Sequence, residues 1–147
     1  MNSAQLIVRK VDWQCEKERL LRIRCAVFVD EQGFPLELEV DEHDASAWHY
    51  VAEVDSLAVA TARCSSTGQV GRMAVLPAYR RLGIGGALLQ TLIQQMAGHG
   101  LLQLHLNAQL PARRFYSHYG FVATGPRFMD HGVEHCRMDY LTETAPS

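Results

Sequence analysis

A chain of 147 residues with a formal net charge of -2 has room for one domain with a substantial core, and it lacks the basic excess of a general nucleic-acid binder. No apolar run reaches membrane-spanning length, and the stretch from Met1 to Arg9 lacks the charged-then-apolar order of an export signal. Cys15, Cys25, Cys64 and Cys136 are widely spaced and form no zinc pattern, so reduced thiols in a cytoplasm are the simplest expectation, with no metal.

In chain order, Leu6 to Val11 predicts a strand. From Glu16 the period lengthens: Leu20, Ile23, Val27 and Phe28 predict a helix that ends before Gly33 and Pro35. Glu37 to Asp44 reads as an acidic, irregular loop. Trp48 to Val54, Leu57 to Cys64 and Gln69 to Val75 predict an antiparallel meander with turns at Asp55-Ser56 and Ser65 to Gly68. Leu88, Leu89, Leu92, Ile93 and Met96 mark an amphipathic helix stopped by Gly98 and Gly100. Leu102, Leu104 and Leu106 alternate with Gln103, His105 and Asn107, a strand with one apolar face. A short helix from Ala112 to Tyr119 follows. Phe121 to Thr124 and His135 to Leu141 predict the last strands, with a turn near Asp130-His131-Gly132, and Thr142 to Ser147 reads as a frayed tail. Neither repeats nor linkers divide the chain, so residues 1–147 read as one α/β domain: a mixed sheet with helices on its faces.

The densest signal is Val75-Leu76-Pro77-Ala78-Tyr79-Arg80-Arg81-Leu82-Gly83-Ile84-Gly85-Gly86. A strand, a basic glycine-rich turn and a helix N-terminus make an anion site, because the first N–H groups of a helix lack intrahelical acceptors and its dipole favours negative charge. Arg80 and Arg81 can add charge-assisted bonds. A Walker loop needs a Lys-Ser or Lys-Thr pair after the last glycine, and none is present. The glycine spacing and the meander before it do not fit a dinucleotide-binding turn. A pyrophosphate held by successive N–H groups remains.

Arg80-Arg81-Leu82-Gly83-Ile84-Gly85 resembles the Q/R-x-x-G-x-G/A motif of the GNAT superfamily of N-acetyltransferases. A second segment agrees: Asn107-Ala108-Gln109, then Ala112-Arg113-Arg114-Phe115-Tyr116, ending in Gly120-Phe121, with a longer Asn-to-Ala gap than is usual in that family. More narrowly, Phe28 to Gly33, Asp41-Glu42, Gly71 to Val75, Leu106 to Gln109 and Gly132 to Met138 resemble the small bacterial ElaA-type group. The resemblance implies a central mixed sheet of six or seven strands with a splayed parallel pair, flanked by about four helices. It also implies acetyl-coenzyme A as donor and a primary amine of a small molecule or peptide as acceptor. Neither nucleic acid nor membrane is expected as a partner, and many such small folds form homodimers. A coenzyme A-binding sensor without catalysis is the alternative.

On this resemblance the pyrophosphate sits on N–H groups from Leu82 through Gly83, Ile84, Gly85 and Gly86 to Ala87. Met73, Ala74 and Val75 meet the pantetheine arm through backbone bonds, and Asn107 and Phe115 lie beside it. Tyr116 is the family's usual proton donor to the coenzyme A sulfur, since a phenol of ordinary pKa near 10 can donate to a thiolate. His105 and His135 are candidate acceptor-side bases. Glu39, Asp41 and Glu42 would attract an amine, whereas Arg63 and Arg127 would suit an acceptor bearing an acid group. Cys136 adjoins His135, but neighbouring strand residues point to opposite faces, which favours direct transfer over an acyl-enzyme.

Overall fold

The computed structural model describes residues 5–36 and 40–141. Strand β1, Leu6–Val11, runs into helix α1, Trp13–Arg24. Asp12 caps α1: its carboxylate accepts the Cys15 N–H at 3.1 Å. The expected single helix up to Gly33 is instead α-helical only to Arg24, then widens into a π-helical stretch, Cys25–Glu31.

Strands β2 (Trp48–Val54), β3 (Leu57–Cys64) and β4 (Val70–Val75) form the expected meander, and β1 adds antiparallel to the outer edge of β2. Helix α2, Ile84–Gly98, leads to β5, Gln103–Gln109, and then to the short helix α3, Arg113–His118. Strands β6 (Val122–Ala123), β7 (Phe128–Asp130) and β8 (Val133–Leu141) finish the described chain. β7 had no clear signal, because its three residues are all exposed and show no alternation. The tail from Thr142 lies outside the described residues.

The expectation of one mixed sheet with a splayed parallel pair and four helices is corrected here. The strands form two antiparallel sheets, β1-β2-β3-β4 and β5-β8-β6 with β7 on β8, and there are three α-helices among the described residues. The sheets touch at one parallel bridge, Gln69 with His105, where the His105 N–H donates to the Gly68 carbonyl at 2.9 Å. The β3–β4 register shifts between Thr61 and Arg63, and Arg72 opposite that shift has φ 48°, an irregularity of the bulge kind within β4.

Two clusters of buried side chains flank the first sheet. Leu20, Ile23 and Val27 pack with Val51 and Ala74 on one face. On the other, Leu88, Leu89, Leu92 and Met96 of α2 meet Tyr50, Ala60, Leu104, Leu106 and Met138, so α2 covers both sheets at once. Burying these aliphatic side chains contributes roughly 1.5–3 kcal/mol each.

Glu53 on β2 fastens α1 to its sheet. Its carboxylate accepts from Arg9 at 2.9 and 3.0 Å and from Arg19 at 2.5 Å. The Arg9 hydrogen bond, reinforced by Arg19, holds Glu53 down at about 2. The folded carboxyl is therefore more acidic than the unfolded one. Its stabilisation is complete above the unfolded pKa and is lost as pH falls toward 2. Glu53→Gln should cost about 2 kcal/mol at neutral pH, allowing for solvent around the arginines. In denaturant melts from pH 7 to pH 2, the gap between the two proteins should close below about pH 4.5. A gap independent of pH would refute this account of Glu53.

Candidate functional site

The glycine turn sits where β4 ends. A single 3-10 turn, Pro77–Tyr79, precedes it, and Arg81 and Gly83 both take left-handed backbone, φ 65° and 80°. Gly83 is the N-cap of α2 and offers no side chain to cap it. The Ala87 N–H already donates to the Gly83 carbonyl at 3.0 Å, which takes Ala87 out of the expected donor set. The N–H groups of Ile84, Gly85 and Gly86 precede that bond and have no intrahelical acceptor. Leu82 and Arg81 are exposed on the rim. Gly86 also has a packing reason: a Cβ there would collide with the Tyr119 phenol.

Arg80 does not point free into solvent. Its Nε donates to the Val75 carbonyl at 2.9 Å, and Nη1 and Nη2 meet the two Glu31 oxygens at 2.7 and 2.6 Å.

Between β4 and β5 the gap opens away from the Gln69–His105 bridge. Along β4, Ala74 is buried toward α1, while Met73 and Val75 join the cluster under α2. Helix α3 brings Tyr116 to the same place: its hydroxyl donates to the Met73 sulfur at 3.7 Å. Phe115 packs edge-on against the Tyr116 ring at 5.1 Å, and it would be 3.4 Å from a Cβ on Gly85. Met73, Gly85, Phe115 and Tyr116 thus meet at the start of α2. Burial pushes the Tyr116 phenol up to about 12.

His105, Asn107 and Gln109 share one face of β5, opposite Asp139, Arg137 and His135 of β8. They separate along it. His105 stands at the closed end of the gap and lines a cavity of about 370 Å³ with Thr67, Arg137 and Asp139. Burial, then Arg137, lowers its pKa. His135 is at the open end, buried and stacked on Phe128 with ring centroids 5.6 Å apart. Its Nδ1 lies 2.8 Å from the Val133 carbonyl, which can only accept, so Nδ1 carries a proton and Nε2 is the ring nitrogen left for other contacts. The structure therefore separates the two histidines rather than joining them in one site. Cys136, next to His135, is buried in the core under α2.

Of the residues expected to bind acceptor, Asp41 of the loop and Arg63 of β3 are paired with each other. Asp41 accepts from Arg63 at 2.6 and 2.7 Å and from Arg72 at 3.1 Å, which holds its carboxyl well below the usual carboxylate range. Arg63 also meets Asp44 at 2.7 Å, and buried Arg24 grips Asp44 at 2.9 and 3.1 Å. Glu42 and Arg127 are exposed, and Glu39 lies outside the described residues. Sequence reasoning missed the partners Glu31 and Gln32. The Gln32 side-chain oxygen accepts the Gln109 amide at 2.9 Å. Their only signal was membership of the Phe28 to Gly33 segment.

Residues 15–142 match the family model of the acetyltransferase (GNAT) domain. A protein of Bacillus subtilis (strain 168) named as an acetyltransferase is 31% identical over 144 residues, covering 94% of this chain and 98% of its own. The crystal structure of Escherichia coli ElaA superposes with a TM-score of 0.83 at 24% identity, covering 92% of this chain and 99% of its own. That of an acyl-CoA N-acyltransferase from Pseudomonas aeruginosa does so with a TM-score of 0.79 at 27% identity, covering 94% and 99%.

Proposed function

Since this chain belongs to the GNAT family of acetyltransferases, which move the acetyl group of acetyl-coenzyme A to an amine, we propose that its reaction centre is the gap between β4 and β5, with Tyr116 and His135 as its proton-handling groups. The observation that carries this reading is the Tyr116 hydroxyl beside the edge of β4, already donating to a sulfur, that of Met73. All of residues 1–147 would serve one catalytic domain.

The residues present fit the donor. The Ile84, Gly85 and Gly86 N–H groups, with the α2 dipole and exposed Arg81, would take its pyrophosphate. The backbone of Met73, Ala74 and Val75 would hold the pantetheine arm as an added strand, with Asn107 and Phe115 across from it. Bound there, acetyl-coenzyme A supplies the thioester. The chain then contributes placement of that carbonyl beside an amine, an entropic advantage that can supply several kcal/mol.

An unprotonated amine attacks the carbonyl carbon and a nitrogen–carbon bond forms. The carbon–sulfur bond then breaks and the electron pair leaves on sulfur. His135 Nε2 takes the proton lost by nitrogen, directly or through water. The Tyr116 phenol, being raised, stays protonated and stabilises the departing thiolate by a hydrogen bond rather than acting as a strong acid. His105, at the closed end, is left to line its own cavity. Asp41 and Arg63 neutralise each other, so they would shape the acceptor side rather than set its charge.

We place the acceptor among primary amines of small molecules or peptides. The four free cysteines suit a cytoplasmic location, and among the described residues no helix is long and apolar enough to cross a membrane. Exposed Val122, Phe128 and Met129 offer the apolar surface that a homodimer would use. Incubation with acetyl-coenzyme A and a panel of amino acids, polyamines and peptide N-termini should give amide product by mass spectrometry, matched by thiol release. Saturable coenzyme A binding with no amide from any amine would defeat the acceptor assignment.

A further inference from the structure

The Arg80 guanidinium has a partner on each of its three nitrogens: the Val75 carbonyl on Nε and the two Glu31 oxygens on Nη1 and Nη2. Such a two-pronged arginine–carboxylate pair is geometrically specific, unlike a single ion contact. One side chain thereby ties three pieces together: the last residue of β4, the glycine turn and the end of the π-helical stretch. The next residue, Gln32, holds Gln109 at the end of β5. Gln32 thus reaches the end of β5 directly, and Glu31 reaches the end of β4 through Arg80.

The turn needs such an anchor. Arg81 sits at φ 65° and Gly83 at φ 80°, and for a residue with a side chain the left-handed conformation costs roughly 1–2 kcal/mol. Two left-handed residues just before α2 set where its free N–H groups point. Arg80 is the residue immediately before them, and it is pinned on both sides.

We propose that Glu31 is a positioning residue of the donor site: it holds Arg80 as a brace between β4 and the glycine turn. The main-chain N–H groups of Ile84–Gly86 then take the pyrophosphate, and the Arg80 side chain does not. This rests on the reading of that turn as the pyrophosphate seat. It also reverses the plain expectation for a basic residue in the motif. The Arg80 charge is matched by Glu31, which leaves Arg81 as the exposed cation of the turn.

The two roles for Arg80 predict opposite signs for one substitution. If Arg80 were a phosphate ligand, Glu31 would compete with the phosphate, and Glu31→Gln would tighten binding. As a brace, Arg80 loses its hold when Glu31 is changed, and binding weakens. Calorimetric titration with coenzyme A, and with its pyrophosphate-bearing nucleotide half alone, separates them. Glu31→Gln and Arg80→Gln should each weaken both ligands by about fivefold, and the double variant should be no weaker than the worse single one. Arg80→Lys should behave like Arg80→Gln, because an ammonium cannot span Val75 and both Glu31 oxygens at once.

Equal losses for the nucleotide half and for whole coenzyme A would locate the effect at the turn. A larger loss for whole coenzyme A would mean general loosening of the fold and would overturn the brace. Tighter or unchanged binding by Glu31→Gln would overturn it as well. The wild-type protein reports on the seat separately. Binding of the nucleotide half supports it whatever Glu31 does. Binding of coenzyme A without binding of that half refutes the seat, and the brace with it.

Discussion

Replacing Tyr116 with phenylalanine should lower kcat by about a hundredfold while leaving coenzyme A affinity within about twofold of wild type. The change removes one oxygen. Among the described residues that oxygen donates to the Met73 sulfur, a weak acceptor, so little binding or stability is lost with it. In the reaction the same hydroxyl would face a sulfur that gains a full negative charge. The benefit is therefore confined to the transition state, and the loss should appear in kcat and not in KM. Since burial pushes the phenol up to about 12, the wild-type rate should also rise with pH without a falling limb from Tyr116 below about pH 10. Steady-state rates across pH, with titration of coenzyme A into each protein, test both points. Unchanged turnover in Tyr116→Phe would remove Tyr116 from the mechanism. A loss confined to donor affinity would make it a binding residue.

Gly68→Ala should destabilise the fold by about 3 kcal/mol. Gly68 has φ 93°, which a residue with a Cβ rarely adopts, and that Cβ would lie 2.6 Å from the Gln103 carbonyl oxygen. The obstacle is backbone, so no rotamer change relieves it. The displaced carbonyl belongs to β5, and the Gly68 carbonyl itself accepts the His105 N–H. The substitution therefore pries at the point where, among the described residues, the two sheets are bridged. Equilibrium denaturation should show the loss. Kinetics at a temperature where both proteins are folded should show a lower kcat/KM as the gap changes width. A folded Gly68→Ala protein of wild-type stability would mean that Gln103 can yield.

Local patterns were legible in the sequence. Alternation along Leu102 to Asn107 gave a strand, three-and-four spacing along Leu88 to Met96 gave a helix, and the missing Walker lysine with Arg80, Gly83 and Gly85 narrowed the anion. Pairings made across the fold were not legible. Glu31 and Arg80 lie 49 residues apart and Gln32 and Gln109 lie 77 apart, and no period or spacing connects them. Asp41 reads as a free acid in a loop until Arg63 and Arg72 are found against it. The left-handed backbone at Arg72 left no mark either, since it is an ordinary arginine in an ordinary strand. The glycine turn at the start of α2 was legible as a turn, but its internal bonding was not: the Ala87 N–H is taken up by the helix and the Arg80 guanidinium by Glu31.

The separation of β4 from β5 also bears on how long the protein lasts. Past Gln69 and His105, the facing edges of these two strands have no strand partner among the described residues. Unpaired strand edges are templates for other chains, and natural proteins usually blunt them with charge, proline or a cover. Here the proposed cover is the donor itself, lying along Met73 to Val75. A ligand held at a hundred times its dissociation constant adds about 2.7 kcal/mol to the folded state. Self-association of the protein would then follow the supply of coenzyme A, acetylated or free, because both carry the arm that covers this edge.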